Sequence, residues 1–141
     1  MITTCASCGK KNRVPASASG TPQCANCHTP LAWIADSHDS DFADIADRSK
    51  VPVLVDLWAP WCGPCRMVSP ALENLAQAFA GRVKLVKVNV DEAPALSQRF
   101  DARSIPTLLL LRDGRVVARQ IGAAPESALR TWLEKALAEA A

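Results

Sequence analysis

No acidic residue precedes Asp36, and the only charged side chains before it are Lys10, Lys11 and Arg13. The other 13 of the 16 basic residues and all 14 acids follow, leaving a net charge of only +2 over 141 residues. So small an excess gives no hold on nucleic acid or an anionic membrane surface. Long hydrophobic runs are missing as well. Val51–Trp61 is broken by Asp56, and Ile105–Leu111 is far too short to cross a bilayer. The start, Met1-Ile2-Thr3-Thr4-Cys5, lacks the basic stretch and apolar run of a secretory signal. These absences lead us to expect a cytoplasmic protein with no membrane partner, working as a monomer.

What the chain does have is six cysteines, grouped as three CxxC pairs: Cys5/Cys8, Cys24/Cys27 and Cys62/Cys65. In a cytosolic chain such pairs point to metal binding or catalysis before structural disulfides. The first two pairs lie in residues 1–30, a polar stretch with little apolar periodicity and a loop-like Ala16–Pro22. Such a segment cannot build its own core. Its cysteines are separated by 15 residues, which matches the C-x2-C-x15–20-C-x2-C metal pattern. Four thiolates suit tetrahedral zinc, with Gly9 fitting the tight turn after Cys8, and binding would supply the missing folding energy. We therefore assign Cys5, Cys8, Cys24 and Cys27 to one structural zinc ion, with iron as the metallic rival. Cys24-Ala25-Asn26-Cys27-His28 also fits the haem-attachment pattern CxxCH, but the matched partner CxxC and the missing export signal argue against haem. His28 is read as a solvated neighbour and His38 as surface.

A linker near residues 28–32 separates this module (1–30) from a main domain (31–141). There Val53-Leu54-Val55-Asp56-Leu57-Trp58 reads as a central strand buried on both faces. A helix follows the third CxxC, with Val68, Leu72, Leu75, Ala76 and Phe79 at helical spacing, Pro70 as a kink and Gly81 as a stop. Val83–Val90 is the next strand, and Pro94 opens a short helix presenting Leu96 and Phe100. Thr107–Leu111 and Val116–Ile121 flank Asp113-Gly114, a two-residue hairpin signal. A last helix follows Pro125, with Leu129, Trp132, Leu133, Ala136 and Leu137 on one stripe. The expected fold class is α/β, a mixed central sheet flanked by helices and preceded by a small ribbon-like metal module.

Cys62-Gly63-Pro64-Cys65 falls between the buried strand and the helix. At a helix N-terminus the free amides and the dipole favour a thiolate, which is the form that attacks disulfides. Cys62 is the expected nucleophile and Cys65 the resolving thiol. The alternative, half of a further metal site, is disfavoured because four cysteines already pair elsewhere. Asp56, alone in an apolar strand, should be desolvated and its pKa raised, which suits it to accept the Cys65 proton. The alternatives for Asp56 are a solvent-facing side chain or a part in folding only.

Val55–Cys65, Val88-Asn89-Val90-Asp91, Ser104-Ile105-Pro106-Thr107-Leu108 and Asp113-Gly114 together closely resemble the thioredoxin family over about residues 35–141. With its N-terminal extension, the chain resembles the bacterial thioredoxin 2 type, which carries zinc. The resemblance implies a thioredoxin fold, a redox-active Cys62–Cys65 disulfide, disulfide-containing target proteins and an NADPH-dependent thioredoxin reductase as partners. It also implies a cis bond before Pro106 and a flat contact surface from Trp61, Gly63, Pro64, Ile105, Pro106, Gly122 and Ala123, with Ile105 backbone groups pairing with substrate. Lys87 matches a family lysine near the buried acid, though an exposed strand lysine is nearly as good a reading. Arg66 stands where the family usually has lysine and keeps its charge. Trp58 and Trp132 are read as core.

The function expected is protein-disulfide reduction. The alternative is an interaction or chaperone module that uses the zinc ribbon and keeps the thioredoxin fold as a scaffold. A redox-sensitive zinc site, released on oxidation, would join the two. Gly-Pro between the active cysteines resembles the reducing members and argues against an oxidase or isomerase.

Overall fold

Side chains alternate across a strand, so an apolar run buried on both faces must feed two cores. The computed structural model, which describes residues 1–18 and 20–140, shows this directly. Ser19, inside the expected loop, and Ala141, at the end of the expected main domain, lie outside the described residues. Strand β4 (Val53–Trp58) sends Leu54 to one core and Val53, Val55 and Leu57 to the other.

The elements in order are β1 (Ile2–Thr4), β2 (Lys11–Arg13), β3 (Ile34–Ser37), a helical turn (Ala43–Asp47), β4, α1 (Gly63–Ala78), β5 (Lys84–Asn89), α2 (Pro94–Arg99), β6 (Thr107–Arg112), β7 (Arg115–Ile121) and α3 (Glu126–Ala140). The sheet order is β3-β5-β4-β6-β7, with β3 and β4 parallel to β5, β6 antiparallel to β4, and β7 antiparallel to β6. The sheet is therefore mixed, as expected. Helices α1 and α3 cover the Leu54, Leu85, Leu108 and Leu110 face through Leu72, Leu75, Phe79, Leu129 and Leu133. Phe42, Ile45, Leu96 and Phe100 cover the opposite face. Each fully buried large side chain of this kind stabilises the fold by about 1.5–3 kcal/mol.

Local signals set the ends of these elements. Cys62 caps α1, Pro64 occupies its first turn, and Gly81 ends the segment beyond it at φ +84°. The β6–β7 hairpin turns at Asp113 (φ 53°) and Gly114 (φ 77°), the left-handed pair that a two-residue turn of the twisted kind requires. Strand β3 and the turn at Ala43–Asp47 were not foreseen. Residues 34–37 are few and half polar, and their order comes from pairing with β5, with Ile34 opposite Leu85 and Asp36 opposite Lys87.

The N-terminal segment does not stand apart. Strands β1 and β2 form a two-stranded antiparallel ribbon. Val14, Cys5 and Cys24 bury together with Leu31 and Trp33, and Val51 packs on this cluster. The Trp33 indole N–H donates to Pro15 O at 2.9 Å. Lys84, only 1% exposed, points from β5 into this seam. Its ammonium donates to Ala16 O and Ile45 O and lies 4.0 Å from the centre of the Trp33 ring. That ring face and the two carbonyls take the place of water around a buried charge.

Candidate active site and metal centre

Cys62 and Cys65 form a disulfide at the start of α1. Both are buried, at 4% and 3% exposure, yet their neighbour Trp61 is 67% exposed. The Cys65 N–H donates to Cys62 Sγ at 3.2 Å, so the outer sulfur already holds one free amide of the helix start. Ile105 O lies 3.8 Å from Cys62 Sγ, which brings the loop before β6 beside the sulfur. The Ile105–Pro106 bond is cis. The Gly122 N–H donates to Pro106 O at 2.9 Å, with Gly122 at φ +88°. Trp61, Ile105, Pro106 and Gly122, expected at the contact surface, thus sit around the disulfide, with Gly63 and Pro64 exposed beside it. Sequence reasoning missed Asp91, whose carboxylate accepts the Trp61 indole N–H at 3.0 Å.

Asp56 is only 2% exposed and lies on the α1 face of β4. Burial pushes its carboxyl up from 3.8 to about 6, against the pull of the Lys87 ammonium. A cavity of about 140 Å³ is lined by Asp56, Trp58, Cys65, Arg66, Ser69 and Lys87. It joins the buried carboxyl to the inner cysteine and is roomy enough for water. Ser69 and Glu73 were not singled out from the sequence, although Cys65, Ser69 and Glu73 recur at i, i+4 and i+8 on one face of α1.

The raised pKa has a consequence for stability. Below about pH 4 Asp56 is neutral whether folded or unfolded and costs nothing. Between about pH 4 and 6 the unfolded chain ionises first, and above pH 6 the full cost of a buried carboxylate is present. Asp56→Asn is therefore expected to raise unfolding free energy by about 2–3 kcal/mol at pH 7.5 and by almost nothing at pH 3.5. Urea titrations at the two pH values check this. Equal effects at both would remove the link to ionisation.

At the other end of the chain, the sulfurs of Cys5, Cys8, Cys24 and Cys27 all lie within 4.8 Å of one another. Cys5 Sγ is 3.6 Å from Cys27 Sγ, and Cys8 Sγ is 3.6 Å from Cys24 Sγ. These gaps are too long for disulfides and close to the edge of about 3.8 Å of a tetrahedron with metal–sulfur bonds of about 2.3 Å. The four cysteines could thus hold one metal ion. The two CxxC segments, Cys5/Cys8 and Cys24/Cys27, adopt the same kind of turn. The Gly9 N–H donates to Cys5 O and the His28 N–H to Cys24 O, both at 2.9 Å, with Gly9 at φ +80° and His28 at φ +64°. His28 therefore fills the position in the second knuckle that Gly9 fills in the first.

The surroundings favour thiolates on the second knuckle. The Cys27 N–H, then the Asn26 N–H and the Asn12 side chain, outweigh burial and draw Cys24 down to about 6. The Thr29 hydroxyl, 3.2 Å from Cys27 Sγ, and then the Thr29 N–H pull Cys27 down too. Asn12 donates to Cys24 Sγ at 3.5 Å and accepts the Ala25 N–H at 2.9 Å, so it braces the site in a way its sequence position did not announce.

Comparison with known proteins agrees with this geometry. The family model described as Thioredoxin matches residues 34–135. A thioredoxin of Haemophilus influenzae is 50% identical over 98 residues, covering 70% of this chain and 92% of the relative. Thioredoxin 1 of Nostoc sp. is 50% identical over 99 residues, with the same two coverages of 70% and 92%. Thioredoxin C-3 of Corynebacterium nephridii is 40% identical over 140 residues, covering 97% of this chain and 96% of the relative, so that match takes in the N-terminal segment as well.

Proposed function

The chain belongs to the thioredoxin family and is a thiol–disulfide oxidoreductase, and we propose that it works as a cytoplasmic protein-disulfide reductase carrying one structural zinc ion. The observation that carries this reading is the Cys62–Cys65 disulfide at the capped start of α1, with a desolvated acid across a small cavity. Residues 1–30 serve as the metal module and 31–141 as the thioredoxin domain, with Leu31 and Trp33 shared between them.

In the reduced protein the Cys62 thiolate attacks one sulfur of a target disulfide. A Cys62–target disulfide forms and the other target sulfur leaves as a thiolate. Asp56 then takes the proton from the Cys65 thiol, directly or through water in the cavity. The new Cys65 thiolate attacks Cys62 Sγ, releases the second target thiolate and leaves the disulfide seen in the structure. Two electrons from NADPH, passed through a thioredoxin reductase, restore the dithiol. Trp61, Gly63, Pro64, Ile105, Pro106 and Gly122 form the surface on which the target lies, with Asp91 steadying Trp61. The metal, held by Cys5, Cys8, Cys24 and Cys27, orders the N-terminal ribbon and takes no part in these steps.

The test is Cys65→Ser. With resolution blocked, this variant should accumulate mixed disulfides with target proteins that thiol reagents dissolve. The unaltered protein should couple NADPH oxidation to insulin reduction in the presence of a thioredoxin reductase. No trapped adducts and no NADPH consumption would remove the reductase reading.

A further inference from the structure

The ammonium of Lys87 has a choice of partners, and the structure shows which it takes. Lys87 sits on β5 between two acids in strand register, Asp36 on β3 and Asp56 on β4. Two groups of α1 face it as well. Its Nζ donates to Ser69 Oγ at 2.8 Å and pairs with Glu73 Oε1 at 3.7 Å. Among the described residues, Glu73 is the acid with which Lys87 forms an ion pair. Asp56, the register partner buried in the same cavity, is passed over.

We propose that Ser69 and Glu73 are positioning residues for the disulfide exchange: they hold the Lys87 ammonium on the α1 side of the cavity and away from the Asp56 carboxyl. The inference rests on the reading of Asp56 as proton acceptor for Cys65. An ammonium in direct contact with Asp56 would stabilise the carboxylate and make it a weaker base. Tied to the Ser69 hydroxyl, Lys87 stays near enough to neutralise part of the cavity's charge but leaves burial in command of Asp56. The hydroxyl suits this task because it accepts from the ammonium without adding a charge to the cavity. The Glu73 side chain is 52% exposed, so solvent weakens its own pull and makes it the lesser anchor. The other charged groups facing the cavity do not compete for this place. Arg66 lines it from the first turn of α1, and Asp36 lines the adjoining depression with Lys87, Trp58 and His38.

The measurement is the titration of the Asp56 carboxyl carbon by NMR in the full-length, metal-loaded protein, beside the pH profile of insulin reduction. Ser69→Ala frees the ammonium and should lower the Asp56 midpoint by about one pH unit, the scale of a nearby opposite charge. The acid limb of the activity profile should move down with it. Ser69→Thr, which keeps the hydroxyl, should restore both, and Glu73→Gln should give a smaller fall. In a Lys87→Met background Ser69→Ala should leave the midpoint unchanged. An Asp56 midpoint that does not move in Ser69→Ala, or that falls equally without Lys87, overturns the proposal. Because the carboxyl is read directly, that result is distinct from failure of Asp56 as proton acceptor. The latter would show instead as a midpoint that moves while the activity profile stays still.

Discussion

Cys62→Ser should reduce insulin no faster than buffer thiols do, a loss of about 10⁴-fold or more, the scale on which loss of a catalytic nucleophile registers. The reason is chemical and not structural. Cys62 caps α1 and accepts the Cys65 N–H at 3.2 Å. Serine is among the preferred capping residues, so its hydroxyl can take the same amide and the helix start survives. A serine hydroxyl has almost no anionic population near neutral pH, even at a helix N-terminus. Attack on a target sulfur requires that anion. Far-ultraviolet circular dichroism should therefore match the unaltered protein while activity disappears. Activity above a tenth of the original, in protein shown free of contaminating thioredoxin, would place the chemistry elsewhere in the chain.

Removing the metal has the largest expected effect on structure. Structural zinc in small four-ligand modules is worth about 10–16 kcal/mol at neutral pH, far more than ribbons of three-residue strands supply. Mass spectrometry of reduced protein should find one zinc per chain, and iron would announce itself by colour. After chelation, residues 1–30 should lose amide protection. The sharpest reporter is the Trp33 indole N–H, which donates to Pro15 O in a side chain only 4% exposed. It should begin to exchange with solvent when the Pro15–Ala16 stretch comes away. The Cys62–Cys65 centre belongs to a separate buried cluster with Ala59 and should remain redox-active. If the amides of residues 1–30 stay protected in metal-free protein, packing alone orders the segment.

How much was legible in the sequence depended on how far each feature relies on its own residues. β4 and α1 announce themselves because a buried strand and an amphipathic helix carry their burial in their periodicity. The β6–β7 turn does so because Asp113-Gly114 tolerates two successive left-handed residues. The four-cysteine cluster was legible because the spacing of two CxxC pairs already suits sulfurs that converge. β3 was not, since its order comes from β5. Ser69 and Glu73 look like ordinary polar helix residues, and only their alignment below Cys65 toward Lys87 gives them a task. Trp33 was not singled out, because the sequence does not say that its indole N–H finds its acceptor at Pro15.

The ammonium of Lys84, closed between the Trp33 ring and the carbonyls of Ala16 and Ile45, bears on how such a chain could have been assembled. With an apolar residue at position 84, the loop carbonyl of Ala16 would lose the cation that grips it. A thioredoxin stripped of its ribbon would leave this lysine half in oil. The extension and the residue at position 84 are thus a matched pair, like a key and its ward. Grafting one between relatives calls for carrying the other with it.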